Sequence, residues 1–132
     1  MNNFSLQEFQ QKVDEVLIRH RSVLDILTKL QESSTRVNRG VAKSVTYCGC
    51  IQLDIKKQEI PSDISFLQLK GYMDDHIKGQ LCDVCKEKIQ EEISSSFFYM
   101  TALCNLFEID MEELFKNYTN NNLNTLGQFG LL

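Results

Sequence analysis

The sequence predicts an all-α fold, an antiparallel bundle of four to five helices. Apolar residues recur at intervals of three and four over most of the 132 residues, which is the period of a helix with one buried face. The chain holds one Pro and six Gly, too few for a turn-rich all-β protein. Two capping boxes, at Ser5 with Glu8 and at Asp110 with Glu113, mark the starts of helices.

The first two helices are predicted to begin after Ser5 and after Ser22, since serine is a favoured N-cap residue. The second is the longest and covers about 23–48, with Gly49 as its natural end. One narrow seam runs along it: Leu27, Leu30, Ser34, Val37, Val41, Val45 and Cys48. A seam of this width is suited to packing against a partner helix.

The rest of the chain completes the predicted bundle. Hydropathy alternates weakly over 51–60, which favours an extended segment. A third helix is predicted from about 62 through Ile77, with Gly79 at its end, and a fourth over about 82–107, packed on the long second helix. A fifth helix follows over about 111–118, broken by the asparagines at 120–122, and 119–132 is a short tail that docks on the bundle or on a neighbouring subunit. No repeat or linker divides the chain, so 1–132 is a single domain.

Composition and charge exclude several classes of function. The chain carries 14 Lys and Arg against 18 Asp and Glu, a net charge of -4, which weighs against binding to nucleic acid. No apolar run approaches the roughly 18 residues of a membrane helix. The N-terminus lacks the basic and apolar regions of a signal peptide, so we expect a cytoplasmic protein.

Four of the five cysteines form two close pairs, Cys48-Gly49-Cys50 and Cys82-Asp83-Val84-Cys85. An odd cysteine count in a reducing compartment argues against a disulfide framework. Paired thiolates at short spacing are ligands that Zn²⁺ selects. If the second and fourth helices pack antiparallel, the two pairs meet, and Cys48, Cys50, Cys82 and Cys85 form a structural zinc site.

Other interpretations of the cysteines remain open. The pairs could be redox thiols, since Cys82 at a helix N-terminus would have a lowered pKa, or they could be ordinary cysteines without a joint role. His76 could replace one cysteine as a ligand. Cys104 lies in an apolar stripe and is predicted to be a core residue.

Two charged clusters are further candidates for binding. Arg36, Arg39 and Lys43 share one face of the second helix and could hold a phosphate or an acidic partner, or form a solvated face in which Glu32 pairs with Arg36. A second cluster at the start of the fourth helix could bind a cation or form salt bridges with neighbouring lysines: Glu87, Glu91 and Glu92. No Ser/His/Asp or Cys/His catalytic set and no glycine-rich phosphate loop is present.

The stretch from Glu91 to Lys116 resembles a helix of the MazG-like all-α nucleoside triphosphate pyrophosphohydrolases. The residues that carry the resemblance are Glu91-Glu92-Ile93-Ser94-Ser95-Ser96-Phe97-Phe98-Tyr99-Met100 and Glu108-Ile109-Asp110-Met111-Glu112-Glu113-Leu114. The whole chain also resembles short proteins of low-GC Gram-positive bacteria that carry a Cys-Gly-Cys and a Cys-x-x-Cys. The resemblance implies a MazG-like bundle, assembly into oligomers, and Mg²⁺ held by an E-x-x-E pair and an E-x-x-D pair on two helices.

The acidic pairs of that family are mostly missing here, so the chain resembles a degenerate member of it. The second pair maps to Glu92 and Ser95, so one carboxylate is replaced by a hydroxyl. The first pair should lie on the long helix, yet no acid occurs between Glu32 and Asp54. One carboxylate cannot hold the metal, so the resemblance implies the fold rather than the activity.

Three functions follow from these observations. The first is a non-catalytic or regulatory MazG-like domain with a structural four-cysteine zinc site, acting as a homo-oligomer, most simply a dimer, with a possible protein partner. The second is a divergent nucleotide pyrophosphohydrolase that binds Mg²⁺ through Glu87, Glu91 and Glu92. The third is a thiol redox sensor built on the two cysteine pairs.

Overall fold

In the computed structural model, which describes residues 3–125, the chain is mostly helical with one small sheet. The helices are α1 (Leu6–Val16), α2 (Val23–Lys43), α3 (Phe66–Leu69), α4 (Asp83–Leu106) and α5 (Met111–Asn117), and the strands are β1 (Ile51–Leu53) and β2 (Ile77–Gly79). Short turns extend three of these helices: π-helical Ser44–Cys48 after α2, 3-10 Lys70–Tyr72 after α3, and π-helical Tyr118–Leu123 after α5. None of the described helices has the length and apolar character that crossing a bilayer requires.

The frame of the fold is the antiparallel pair of α2 and α4. Ser96 donates a hydrogen bond from its hydroxyl to that of Ser33 at 3.2 Å, and Gly40 lies against Ile89 farther along. The small side chains at these positions let the two helix backbones approach closely. Ser22 caps α2 by accepting from the backbone N–H of Leu24 at 3.3 Å, as the sequence predicts. The predicted packing of the long helix on the fourth helix is therefore present.

The hydrophobic core lies at one end of this frame, where α1 crosses it. Four buried aliphatic residues form it: Val13, Leu17, Ile26 and Ala102. Gln10 joins α1 to the start of α5, because its side chain donates to the carbonyl of Ile109 and accepts from the backbone N–H of Met111. Cys104 is buried beside this core, which confirms its prediction as a core residue.

The prediction of a third helix through Ile77 is wrong. The helix is limited to α3 and its 3-10 turn, and Ile77 and Gly79 belong to β2, which pairs antiparallel with β1 in the register Ile51 to Gly79 and Leu53 to Ile77. The turn into β2 is formed locally: the Asp74 and Asp75 carboxylates accept from the backbone N–H groups of the residues two positions on. Of the segment 51–60 predicted to be extended, only β1 forms a strand.

The last helix begins as predicted and continues beyond its predicted end. Asp110 caps α5 by accepting from the backbone N–H groups of Glu112 and Glu113 at 2.9 and 3.3 Å. The asparagines at 120–122 do not break the helix, because the chain stays helical through the π-helical turn to Thr125. Of the predicted tail 119–132, residues 126–132 lie outside the described part of the chain.

Candidate metal centre

The two cysteine pairs meet at the end of the α2/α4 frame that lies opposite the core. Cys48 is the last residue of the π-helical turn after α2, and Gly49 then adopts a left-handed φ of 77°, which reverses the chain and places Cys50 just before β1. Cys82 is the N-cap of α4, and Cys85 lies in its first turn. The four sulfur atoms lie within 4.8 Å of one another. The structure thus brings together all four cysteines of the predicted zinc site.

The small sheet aligns the two pairs. Because β1 and β2 are antiparallel, the residue that enters β1 and the segment that leaves β2 lie at the same end of the sheet. Gly79 makes the approach possible: its φ is 87°, and a Cβ atom there would lie 2.7 Å from the carbonyl oxygen of Cys50. The pairing of two three-residue strands therefore positions Cys50 against Cys82.

The spacing of the sulfur atoms fits a tetrahedral metal ion. The Sγ atoms of Cys48 and Cys82 are 3.8 Å apart. A tetrahedron with zinc–sulfur distances of 2.3 Å has edges of about 3.8 Å, whereas a disulfide bond would be about 2.05 Å. The described cysteines are all free thiols. Their arrangement has room for one ion at the centre.

The thiols differ in how readily they ionise. The backbone N–H of Cys85 donates to the Cys82 sulfur at 3.4 Å and holds the pKa of Cys82 down, at about 7. The Ser44 contact lowers the pKa of Cys85, but its contact with the Cys82 thiol and its burial outweigh this and raise the value to about 12. The contact with Cys85 lowers the pKa of Cys48, and the contacts with Cys82 and Cys50 outweigh it, so the pKa is raised. Since several thiolates this close repel one another, full ionisation of the cluster requires a cation.

The predicted basic residues line a cleft of about 400 Å³ that borders the cluster. Arg36, Arg39 and Lys43 from α2 face Lys88 from α4 across it, and the walls include Cys48, Cys85, Tyr47, Val84 and Glu92. Arg36 is held by Glu32 at 2.6 Å, as the solvated-face interpretation predicted. The basic residues therefore lie beside the thiol cluster, where a negative metal centre would need compensating charge.

The three acidic candidates are not brought together. Glu92 is buried in the basic cleft, with its carboxylate 3.1 Å from the ammonium group of Lys88. Glu87 and Glu91 are exposed and do not line the cleft; five residues of helix separate Glu87 from Glu92 by about 140° of rotation. Among residues 3–125, the cysteines form the only group of three or more His, Cys, Asp or Glu placed to share an ion.

Two further residues bear on the site, one outside the cluster and one in contact with it. His76, the possible substitute ligand, lies in the turn before β2, with Nε2 2.7 Å from the carbonyl oxygen of Lys56, and is not part of the cluster. Sequence reasoning missed Ser44, which is fully buried, bonds the carbonyl of Gly40 at 3.0 Å and contacts the Cys85 thiol. Ser44 could have been found from its position four residues before Cys48, because residues at this spacing lie on the same face of a helix.

No protein-family model matches this sequence, and no curated protein or solved structure is significantly similar to it. The MazG-like resemblance of Glu91–Lys116 therefore stays a prediction. What the chain itself shows is a mostly helical fold whose four paired cysteines are gathered at a distance compatible with a metal ion.

Proposed function

We propose that this chain is a non-catalytic helical domain in which Cys48, Cys50, Cys82 and Cys85 bind one structural Zn²⁺. The observation that carries the proposal is the 3.8 Å separation of two sulfur atoms within a cluster of four thiols. A donor set of sulfur alone favours zinc over hard cations such as Mg²⁺. Four protein ligands fill the tetrahedral shell and leave no position for water or substrate, which is typical of structural zinc rather than catalytic zinc.

The metal would join three parts of the fold: the end of α2, the small sheet and the start of α4. The 31 residues between Cys50 and Cys82 form a loop that the metal closes. Closing a loop of this length stabilises a fold by about 3 to 4 kcal/mol in the chain-entropy treatment used for disulfides. In this proposal the stabilised domain serves binding or regulation rather than catalysis. The MazG-like ancestry and the cytoplasmic location that keeps the thiols reduced are part of the same proposal.

Elemental analysis of reduced protein purified without added metal tests the proposal. We expect about one zinc per chain, no zinc in Cys82→Ser, and the full amount in Cys104→Ser, a matched control in which the cysteine lies beside the core. Chelation should lower the Tm of the wild type and of the control by at least about 10 °C and leave that of Cys82→Ser unchanged. Wild-type protein that holds neither zinc nor iron, with all four paired thiols reacting at once, would contradict the proposal.

The alternative function, a divergent Mg²⁺-dependent nucleotide pyrophosphohydrolase, can be tested directly. Of its candidate residues, Glu92 alone lies in the cleft, and Glu87 and Glu91 are exposed elsewhere on α4. We therefore expect no pyrophosphate release from common nucleoside triphosphates with Mg²⁺ or Mn²⁺. Turnover above about 0.1 per second, the low end for enzymes, would favour the enzyme instead.

The redox-sensor alternative is favoured by one observation. Cys48 is exposed, and its sulfur lies 3.8 Å from that of Cys82. In a two-electron oxidation by hydrogen peroxide, the two thiols would lose two protons and two electrons to form a disulfide, and the peroxide would be reduced to two molecules of water. Mass spectrometry after mild peroxide treatment tests this: a Cys48–Cys82 disulfide that a thiol reductant reverses, in protein purified without metal, would favour the sensor over the zinc site.

A further inference from the structure

Two cations of the basic cleft carry charge that no carboxylate of the described chain offsets. Arg39 and Lys43 lie four residues apart on one face of α2, and both side chains line the cleft and are exposed. Among residues 3–125, no carboxylate comes within ion-pair distance of either side chain. The whole chain has a net charge of -4, so this pair reverses the sign of the protein locally.

The other charges of the cleft cancel one another. Arg36 is held by Glu32 at 2.6 Å, and Lys88 is held by Glu92 at 3.1 Å. Glu92 is the one carboxylate among the described residues that line the cleft, and its bond to Lys88 means that it does not neutralise the α2 cations. Four cations against these two carboxylates leave two positive charges, the number that a dianion would balance.

The cleft also has an apolar rim, formed by one side chain from each end of the frame's helices. Tyr47 lies in the π-helical turn after α2 and is 89% exposed, and Val84 lies in the first turn of α4 and is 76% exposed. Both side chains line the cleft. An exposed aromatic ring and a branched aliphatic side chain offer contact area to a flat apolar group.

The size of the cleft fits an organic ligand. Its volume of about 400 Å³ is in the range of small-molecule binding sites. It extends along α2 from Arg36 to Tyr47, which is about three turns of helix, so only one end of it borders the thiol cluster. A ligand that uses both the cations and the rim must therefore carry an anionic group and an apolar group together.

We propose that the basic cleft binds a phosphate monoester with an apolar, ring-sized organic group, the phosphate on Arg39 and Lys43 and the ring against Tyr47 and Val84. This inference is independent of the proposed zinc site, because none of these four side chains is a metal ligand.

The chemistry of the cleft favours a phosphate monoester over other anions. Its second pKa is about 6, so it carries close to two negative charges at neutral pH. A carboxylate or a sulfate ester carries one and would leave one of the two cations without a partner. The planar guanidinium of Arg39 can donate to two phosphate oxygens at once, and the ammonium group of Lys43 acts as a point charge beside it.

Calorimetric titration of the full chain at neutral pH with three probes tests the proposal. We expect phenyl phosphate to bind one to one, with a Kd below about 1 mM. Phenyl sulfate, which has the same shape and one charge fewer, should bind about tenfold more weakly. Methyl phosphate, which lacks the ring, should bind about threefold to tenfold more weakly. Phenyl phosphate that does not bind saturably, or that binds no better than phenyl sulfate, would overturn the proposal.

Substitutions in the cleft locate the site. Arg39→Gln and, separately, Lys43→Gln should weaken phenyl phosphate binding by about tenfold, and Tyr47→Ala should lower the affinity to that of methyl phosphate. Arg19→Gln is the matched control, since it removes the same charge between α1 and α2, outside the cleft. All four side chains are exposed, so the fold should persist, and helical circular dichroism checks this. Binding that neither cleft cation affects, or that Arg19→Gln weakens equally, would overturn the proposal.

Discussion

Cys82 has two roles in the fold. It is the N-cap residue of α4, where its sulfur accepts the backbone N–H of Cys85 at 3.4 Å, and it is a member of the thiol cluster. A thiolate at this position receives both the hydrogen bond and the positive end of the helix dipole, so Cys82 ionises before Cys48 and Cys85, whose pKa values are raised. The sequence allowed this to be predicted, since a Cys-x-x-Cys at a helix start fixes the geometry locally.

The reactivity of Cys82 in the reduced, metal-free protein should reflect its pKa of about 7. Only the thiolate reacts with iodoacetamide, so we expect the alkylation rate of Cys82 to fall as pH drops below 7 and to level off above it. Cys104 is the control, because burial raises its pKa and shields it. Peptide mass spectrometry over a pH series measures both rates; a midpoint for Cys82 near the ordinary 9.0 would contradict the prediction.

The site depends on the backbone of Gly79, which lies against Cys50. Any side chain there would be strained by the φ of 87° and would meet the Cys50 carbonyl. We expect Gly79→Ala to lower the free energy of unfolding by about 2 to 3 kcal/mol and to weaken metal binding, because Cys50 would be displaced. Gly71→Ala is the control, since its Cβ would meet nothing within 4 Å. Urea unfolding of both variants measures the difference, and equal stabilities would contradict it.

At the scale of the elements, the sequence predicts starts of helices better than pairings between distant segments. Ser5, Ser22 and Asp110 each cap a helix as predicted, because a cap depends on residues within one turn of it. β2 could not be predicted, because its pairing with β1 joins residues more than twenty positions apart and three residues carry little periodicity. For the same reason, the role of the sheet in aligning the cysteine pairs could not be predicted.

The basic residues of α2 should tune the metal centre electrostatically. A zinc ion with four thiolates carries two net negative charges, and Arg39 and Lys43 line the cleft that borders it. We expect Arg39→Gln with Lys43→Gln to weaken zinc binding by about threefold to tenfold, and more at low salt, since exposed charges contribute modestly and are screened. The control is Lys12→Gln with Arg19→Gln, which makes the same change in net charge in the N-terminal part of the chain. Competition with a chromogenic chelator measures the affinities; equal effects of the two pairs would contradict a local role.

At the scale of the whole molecule, the two ends of the α2/α4 frame are stabilised by different means. The end crossed by α1 has the aliphatic core of Val13, Leu17, Ile26 and Ala102. At the other end, Ile51 and Ile89 are the buried aliphatic residues, next to the thiol cluster. The mainly helical class and the meeting of the cysteine pairs could be predicted, because both follow from periodicity and antiparallel packing. The side of the frame on which the basic cleft opens could not, since it depends on which faces of α2 and α4 pack together.

This division of stabilisation predicts that metal removal opens one end of the molecule before the other. We expect chelation to increase hydrogen exchange at the backbone amides of β1, β2, the π-helical turn after α2 and the first turns of α4, because these segments are joined by the thiol cluster. Amides around Ile26 and Ala102 should keep their protection, since the aliphatic core needs no metal. Hydrogen–deuterium exchange with mass spectrometry, with and without chelator, makes the comparison, and Cys104→Ser should behave as the wild type. An equal loss of protection at both ends would mean that the metal end and the core unfold as one unit. No change in exchange at the cysteine end would mean that the cluster holds no metal that stabilises it.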